Sequence, residues 1–306
     1  MAQVEIKVGC KQGKEKVEKV HLSDHEVNKI CQDFFNSKSY AENNNWLKLR
    51  NCNVEKLKTW KQPDNPIVLV FPFYSNDVDK AETLMSWICE LDKSINHTCI
   101  LHCDDETNYK KVLDLARTCF ADVKVSVYKR KEYKWPSSNS YAFVKASDYM
   151  DANLPNNSWL WMETDGIPVK KMWLSRLDIE YKDSNMPFFG NIVKIGNSRH
   201  MNGLAIYPPD IRSWTDKAFE IEVNPECESW DMAMKDETIN FTHEGNEYID
   251  HVWLVDENGN ESFNKGSVPS FSNIEEVRRL ISPNTLIFHR NKDLSLIPFL
   301  RNVVFQ

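Results

Sequence analysis

Trp159-Leu160-Trp161-Met162-Glu163-Thr164-Asp165-Gly166-Ile167-Pro168 decides how this 306-residue chain reads. Four apolar residues in a row mark a short strand buried on both faces, and two carboxylates one residue apart stop it. Period-2 geometry places Glu163 and Asp165 on the same side. Hard oxygen donors of this kind suit Mg²⁺ or Mn²⁺, with diphosphate oxygens completing the shell. Gly166 and Pro168 then turn the chain onward. An acid-x-acid triplet also ends many strands that hold no ligand, so its weight comes from its surroundings.

Upstream, the continuous apolar run 67–73 predicts a first strand. A helix over 77–93, a strand over 98–102 closing on Cys103-Asp104-Asp105, a helix over 107–120 and a strand over 123–128 follow. The segment 159–162 is the fourth strand. Downstream come a helix over 170–182, strands over 188–193 and 204–207, and a mixed region with helical stretches near 210–220 and 229–238. Strands alternating with helices predict an α/β fold, with a Rossmann-type, mostly parallel sheet flanked by helices. Ligands of such sheets bind beyond the carboxyl ends of the strands. The chain has nine glycines and neither G-x-G-x-x-G nor G-x-x-x-x-G-K-[ST]. That argues against a dinucleotide dehydrogenase and a P-loop NTPase.

Pro63-Asp64-Asn65-Pro66 breaks the pattern and sets the expected boundary: a small N-terminal α+β extension over 1–62, and the main domain over 63–306. Val4, Ile6 and Val8 alternate with polar residues, predicting a hairpin over 3–22 that turns near Gly13. Ser23 and Glu26 form a capping box. Val27, Ile30, Cys31, Phe34 and Phe35 then trace one face of a helix, and Asn43-Asn44-Asn45 predicts a loop.

Hydrophobic residues make up 41% of the chain, enough for a large core, and no run reaches the length of a membrane span. Met1 to Lys19 is charged and lacks the apolar centre of a secretory signal. The expectation is a soluble, cytoplasmic protein without a membrane partner. The eight cysteines form no C-x-x-C pair, and free buried thiols are expected. The net charge is −7, divided as +4 over residues 1–61 and −11 over the rest. A basic arm of this kind either meets a polyanion or is simply a solvated helical face.

The element order, with its acid-x-acid pair after the fourth strand, resembles the GT-A glycosyltransferases. The fuller wording is similar to phage and viral nucleotide-diphospho-sugar transferases. Its pieces are Trp135-Pro136 with Asn139, the segment from Leu160 to Pro168, the segment from His200 to Pro208, and Phe288-His289-Arg290-Asn291-Lys292-Asp293. The resemblance spans about residues 67–298 and leaves 1–60 outside.

It implies a GT-A-like fold and transfer of a sugar from a nucleotide-diphosphate donor, of which UDP is the usual one. Asp165 would bind the metal. Glu163 stands where Asp is usual, which leaves it to the metal or to a ribose hydroxyl, and Thr164 completes the donor motif. His289 matches a C-terminal histidine of the metal shell, which favours Mn²⁺ over Mg²⁺; the plain alternative is a strand-end histidine bonded to backbone. Lys292 would neutralise the departing diphosphate, a charge that grows in the transition state, with Arg290 the weaker candidate. Tyr74 and Asn76, at the end of the first strand, would meet base and ribose, and Trp135 and Asn139 the donor. His200, Asn202 and Gly203 would lie beside the donor sugar and acceptor. Asp231 would take the acceptor's proton, with Glu228, Asp236 and Glu237 as rivals and helix capping as the plain alternative. A base implies inversion. The phage relatives imply a hydroxymethylated or already glycosylated base in DNA as acceptor, within a host cytoplasm; a glycan, a protein or a small molecule are the alternatives.

A nucleotidyltransferase would also join a parallel sheet to acidic metal ligands. It would need a Gly-rich, basic loop after the first strand, and residues 73–79 contain no glycine and no basic residue. A binding protein without catalysis is disfavoured by Asp165, His289 and Lys292 occurring together.

Overall fold

The computed structural model describes residues 2–8, 16–22, 55–195, 198–251, 271 and 273–304. The chain divides into two compact units, Met1–Cys52 and Asn53–Gln306. In the first, strands β1 (Ala2–Val8) and β2 (Lys16–Leu22) pair antiparallel, with Val4 opposite Val20. The turn expected near Gly13, the helix expected after Ser23 and the Asn43–Asn45 loop lie outside the described residues.

The second unit carries strands β3 (Val68–Pro72), β4 (Ile95–Asp104), β5 (Phe120–Tyr128), β6 (Trp159–Trp161), β7 (Ile167–Pro168), β8 (Phe188–Ile195), β9 (Ser198–Tyr207), β10 (Thr242–Glu244), β11 (Ile249–His251) and β12 (Ile287–His289). Its α-helices are α1 (Val78–Leu91), α2 (Lys110–Ala116), α3 (Ser137–Asn153), α4 (Trp173–Ser184), α5 (Trp230–Ala233), α6 (Lys235–Thr238), α7 (Ile274–Leu280) and α8 (Leu296–Val304). The main sheet has seven strands in the order β10-β8-β9-β6-β3-β4-β5. It is mostly parallel, and β9 alone runs against its two neighbours, β6 and β8.

Alternation along the central strands feeds two cores. Leu69, Phe71, Leu101, Leu160 and Met162 face one cluster with α1 and α4; Val68, Val70, Ile100, Trp159 and Trp161 face the other with α3 and α5. In α1 the residues Ala81, Leu84, Met85, Ile88 and Leu91 are buried, the spacing of a single helical stripe. Because β4 and β6 flank β3 on opposite sides, the order reverses at β3. A crevice opens there, at the carboxyl ends of β3, β4 and β6.

Three expectations are corrected. The helix expected over 107–120 shortens to α2, because Asp104 ends β4 by accepting from Thr107 Oγ1 at 2.6 Å and Glu106 N at 3.2 Å, while Phe120 already belongs to β5. Helix over 210–220 is replaced by 3₁₀ turns at Ile211–Ser213 and Lys217–Glu222. Cys89 and Cys119, expected as thiols, are joined in a disulfide between the end of α1 and the start of β5; Cys99, Cys103 and Cys227 are free and buried. The β–α–β path folds residues 30 apart in sequence onto one another, which spacing alone does not disclose. Among the described residues, no helix is long and apolar enough to cross a membrane.

Candidate active site

Strand β6 ends at Trp161, two residues short of Glu163, and the chain then turns: Gly166 N donates to Glu163 O at 3.0 Å. This turn, rather than strand alternation, brings the two carboxylates together. Glycine is required at its close by proximity, since a Cβ on Gly166 would stand 2.9 Å from Met162 Cγ and press on Leu204. The chain immediately enters β7, which pairs antiparallel with β12, Phe288 opposite Ile167. The next step in that register sets His289 against Gly166. A two-residue strand therefore carries the C-terminal histidine to the acidic turn.

Glu163, Asp165 and His289 each offer a ligand atom, all within 4.8 Å of one another. His289 Nε2 lies 3.4 Å from Asp165 Oδ1, and the Lys292 ammonium contacts Asp165 Oδ2. Asp165 is 3% exposed, and neither of its oxygens accepts a regular hydrogen bond. Burial alone would raise its pKa, but His289 and Lys292 outweigh burial and hold the carboxyl well below the ordinary carboxylate range. Glu163 moves the other way. Burial and the Asp165 charge raise its pKa, opposed by Lys292. Two carboxylates and an imidazole facing one space, with Asp165 kept ionised by the positive charge beside it, fit a divalent cation.

A cavity of about 410 Å³ opens above this cluster. Tyr74, Asn76, Trp135, Asn139, Glu163, Thr164, Asp165 and Lys292 all line it. Tyr74 Oη donates to Asn139 Oδ1 at 3.1 Å, tying the end of β3 to the first turn of α3. A second cavity, of about 140 Å³, shares Trp135, Asn139 and Glu163 with the first and adds Asn202, Gly203, Asp231 and His289. Asp231 stands in the first turn of α5, whose cap position is Ser229. It accepts from Ser229 Oγ at 2.5 Å and Met232 N at 2.9 Å. Of its rivals, Glu228 and Asp236 are exposed and Glu237 is buried against Thr215; none lines either cavity. His200 is buried in β9 and lines neither cavity, and burial lowers its pKa.

Asp231 is aimed by an aromatic stack. Trp230 lies flat on Phe143 at 4.9 Å, meets Trp161 edge-on, and donates to Tyr207 Oη at 3.1 Å; Tyr207 in turn donates to Gly203 O at 2.8 Å. A Cβ on Gly203 would stand 2.8 Å from Trp230 Cζ2 and 3.6 Å from Asp231 Oδ2. Gly203→Ala is therefore expected to cost about 1–3 kcal/mol through overpacking, seen as a melting point several degrees lower, while ligands of the larger cavity bind unchanged. Weakened binding there would overturn the division between the two cavities.

Sequence reasoning missed Asp104, Tyr128, Arg130, Lys131 and Tyr141, which line the larger cavity. The run Tyr128-Lys129-Arg130-Lys131-Glu132-Tyr133-Lys134-Trp135, directly after β5, was the available signal. It also missed His251, whose Nδ1 is 2.8 Å from His289 Nδ1. No motif marks that histidine.

An α/β crevice with a buried acid–acid–histidine cluster is thus the defining combination. No family model matches the chain, and no curated protein matches it in sequence. Similar solved structures include the bifunctional glycosyltransferase WbbM (10% identity, 74% of this chain and 46% of that one, TM-score 0.43). Galactosyltransferase LgtC in complex with donor and acceptor sugar analogs is another (10% identity, 78% and 97%, TM-score 0.44). So is mouse xyloside xylosyltransferase 1 (9% identity, 75% and 99%, TM-score 0.44).

Proposed function

We propose that this protein is a metal-dependent glycosyltransferase of GT-A type, taking a sugar from a nucleotide-diphosphate donor, UDP foremost, and passing it to a hydroxyl acceptor with inversion. One observation carries the reading. The Glu163–Asp165–His289 cluster stands between a nucleotide-sized cavity, which Glu163 and Asp165 line, and a smaller one that Glu163 and His289 line together with the Asp231 carboxylate.

The larger cavity takes the nucleotide, with Tyr74 and Asn139 near base and ribose. Asp165, His289 and Glu163 would hold Mn²⁺, or Mg²⁺ less well, and the cation would supply charge neutralisation to the diphosphate. Lys292, half-exposed at the cavity wall, adds positive charge as the leaving group departs. In the smaller cavity Asn202 and Gly203 orient the sugar, and Asp231 accepts the acceptor's proton as its oxygen attacks the anomeric carbon. The absence of a basic, Gly-rich loop after β3 weighs against a nucleotidyltransferase.

Nucleotide sugars titrated with and without Mn²⁺ test this through thermal stability. A ligand of the folded state at a hundredfold excess over its Kd adds about 2.7 kcal/mol. One nucleotide sugar should stabilise the protein only with metal. Stabilisation by a nucleoside triphosphate alone would move the reading to nucleotidyl transfer, and no response to any of them would leave a binding protein.

For the acceptor, the 128–135 loop supports a nucleic-acid strand bearing a hydroxylated base. Lys129, Lys131 and Lys134 are exposed and form no ion pair among the described residues, and Trp135 is 73% exposed at the mouth of both cavities. Cations beside a free aromatic face are what phosphates and an unstacked base require. Replacing the three lysines by alanine should flatten the salt dependence of single-strand binding by about 2 in the log–log slope. An unchanged slope, or no binding at low salt, would point to a glycan, protein or small-molecule acceptor.

A further inference from the structure

His251 and His289 are in-register partners on the parallel strands β11 and β12, so their side chains leave the small sheet on the same face. Their ring centroids are 4.7 Å apart at 61°, the Nδ1 atoms are 2.8 Å apart, and both residues are buried. Two ring nitrogens at that distance share one hydrogen, which one ring donates and the other accepts. If His289 donates from Nδ1, its Nε2, 3.4 Å from Asp165 Oδ1, keeps its lone pair. If His251 donates instead, His289 Nε2 carries the hydrogen and points it at the carboxylate. Only the first arrangement leaves His289 able to bind a cation.

We propose that His251 is a positioning residue that fixes the His289 ring and accepts its Nδ1–H, so that Nε2 faces the Glu163–Asp165 turn as a free donor. This rests on reading Glu163, Asp165 and His289 as a cation site. A histidine suits the task because a neutral imidazole can accept at Nδ1 while it carries its own hydrogen on Nε2. His251 lines neither cavity and takes no part in contact with substrate. Ligating histidines in general owe their orientation and tautomer to such a partner. Here the partner comes from a neighbouring strand rather than from a carboxylate.

Two substitutions separate this role from packing. His251→Asn keeps a group near the Nδ1 position that can accept or donate, and His251→Leu keeps volume without either. Mn²⁺ is titrated calorimetrically into the whole chain with no nucleotide present, alongside metal-free melting. His251→Asn should bind Mn²⁺ within about threefold of the parent, and His251→Leu about 10- to 100-fold more weakly. Parent-like affinity in His251→Leu, or an equal loss in both, overturns the proposal. Histidine nitrogen NMR with Mg²⁺ gives a second readout independent of the variants' stability. His289 should carry its hydrogen on Nδ1, and a hydrogen on Nε2 in the loaded protein refutes the assignment. If the parent itself binds no divalent cation, the cation-site reading has failed, a result distinct from either of these.

Discussion

Asp165→Asn should abolish cation-dependent binding of the donor and lower turnover by about 10²- to 10³-fold or more. Asparagine matches aspartate in shape, so the substitution removes charge and little else. Metal coordination contributes several kcal/mol of transition-state stabilisation, and each 1.36 kcal/mol is about tenfold in rate. Asp165 is the cluster member that is both buried and held ionised, so its loss leaves Glu163, whose proton is retained more tightly, and the His289 ring. The same substitution has a signature in pH. The folded-state pKa of Asp165 is depressed, so its contribution to stability is present above the unfolded value of about 3.9 and is lost as pH falls below it. The melting-point gap between parent and Asp165→Asn in metal-free buffer should therefore narrow from pH 7 towards pH 3. A gap that widens would mean that Lys292 and His289 do not hold this carboxylate in its charged form.

Asp231→Asn is the second large effect, and it should fall on kcat alone. A positioned general base contributes about 10²- to 10⁴-fold, and the amide keeps the hydrogen bond from Ser229 while giving up the ability to take a proton. Donor binding in the larger cavity should be unchanged, because Asp231 lines only the smaller one. Turnover within threefold of the parent would remove Asp231 from the chemistry and, with its three rivals lying outside both cavities, would point to a retaining reaction without a protein base.

The two halves of the site were legible in the sequence to different degrees. Glu163 and Asp165 announce themselves because an apolar strand stops at them, and burial on both faces of β6 follows from Trp159–Trp161 alone. Tyr74 and Asn76 follow by the same rule, one strand over. The basic wall of the larger cavity was overlooked because a charge run after a strand reads as solvated surface until the fold shows Arg130 and Lys131 lining the crevice. The aromatic stack behind Asp231 joins α3, β6, β9 and α5 across about 90 residues of sequence, and only the folded chain shows that Phe143 and Trp230 stack face to face. His251 was illegible for a stronger reason. Its partner is fixed by strand register, which depends on hydrogen bonds between segments that carry no pattern of their own.

The pairing of β7 with β12 also has a consequence for the order of events in biogenesis. Glu163 and Asp165 leave the ribosome 126 and 124 residues ahead of His289, and the short ladder that unites them, Ile167 with Phe288, closes a loop nearly as long. Long-range closure of this kind comes late and slowly. A nascent chain can thus complete β3 to β6 and their helices while the third ligand is still unsynthesised. On the proposed reading, capture of a cation would report that β12 has docked, and a chain interrupted between residues 169 and 286 would keep the acidic turn but lack the third ligand.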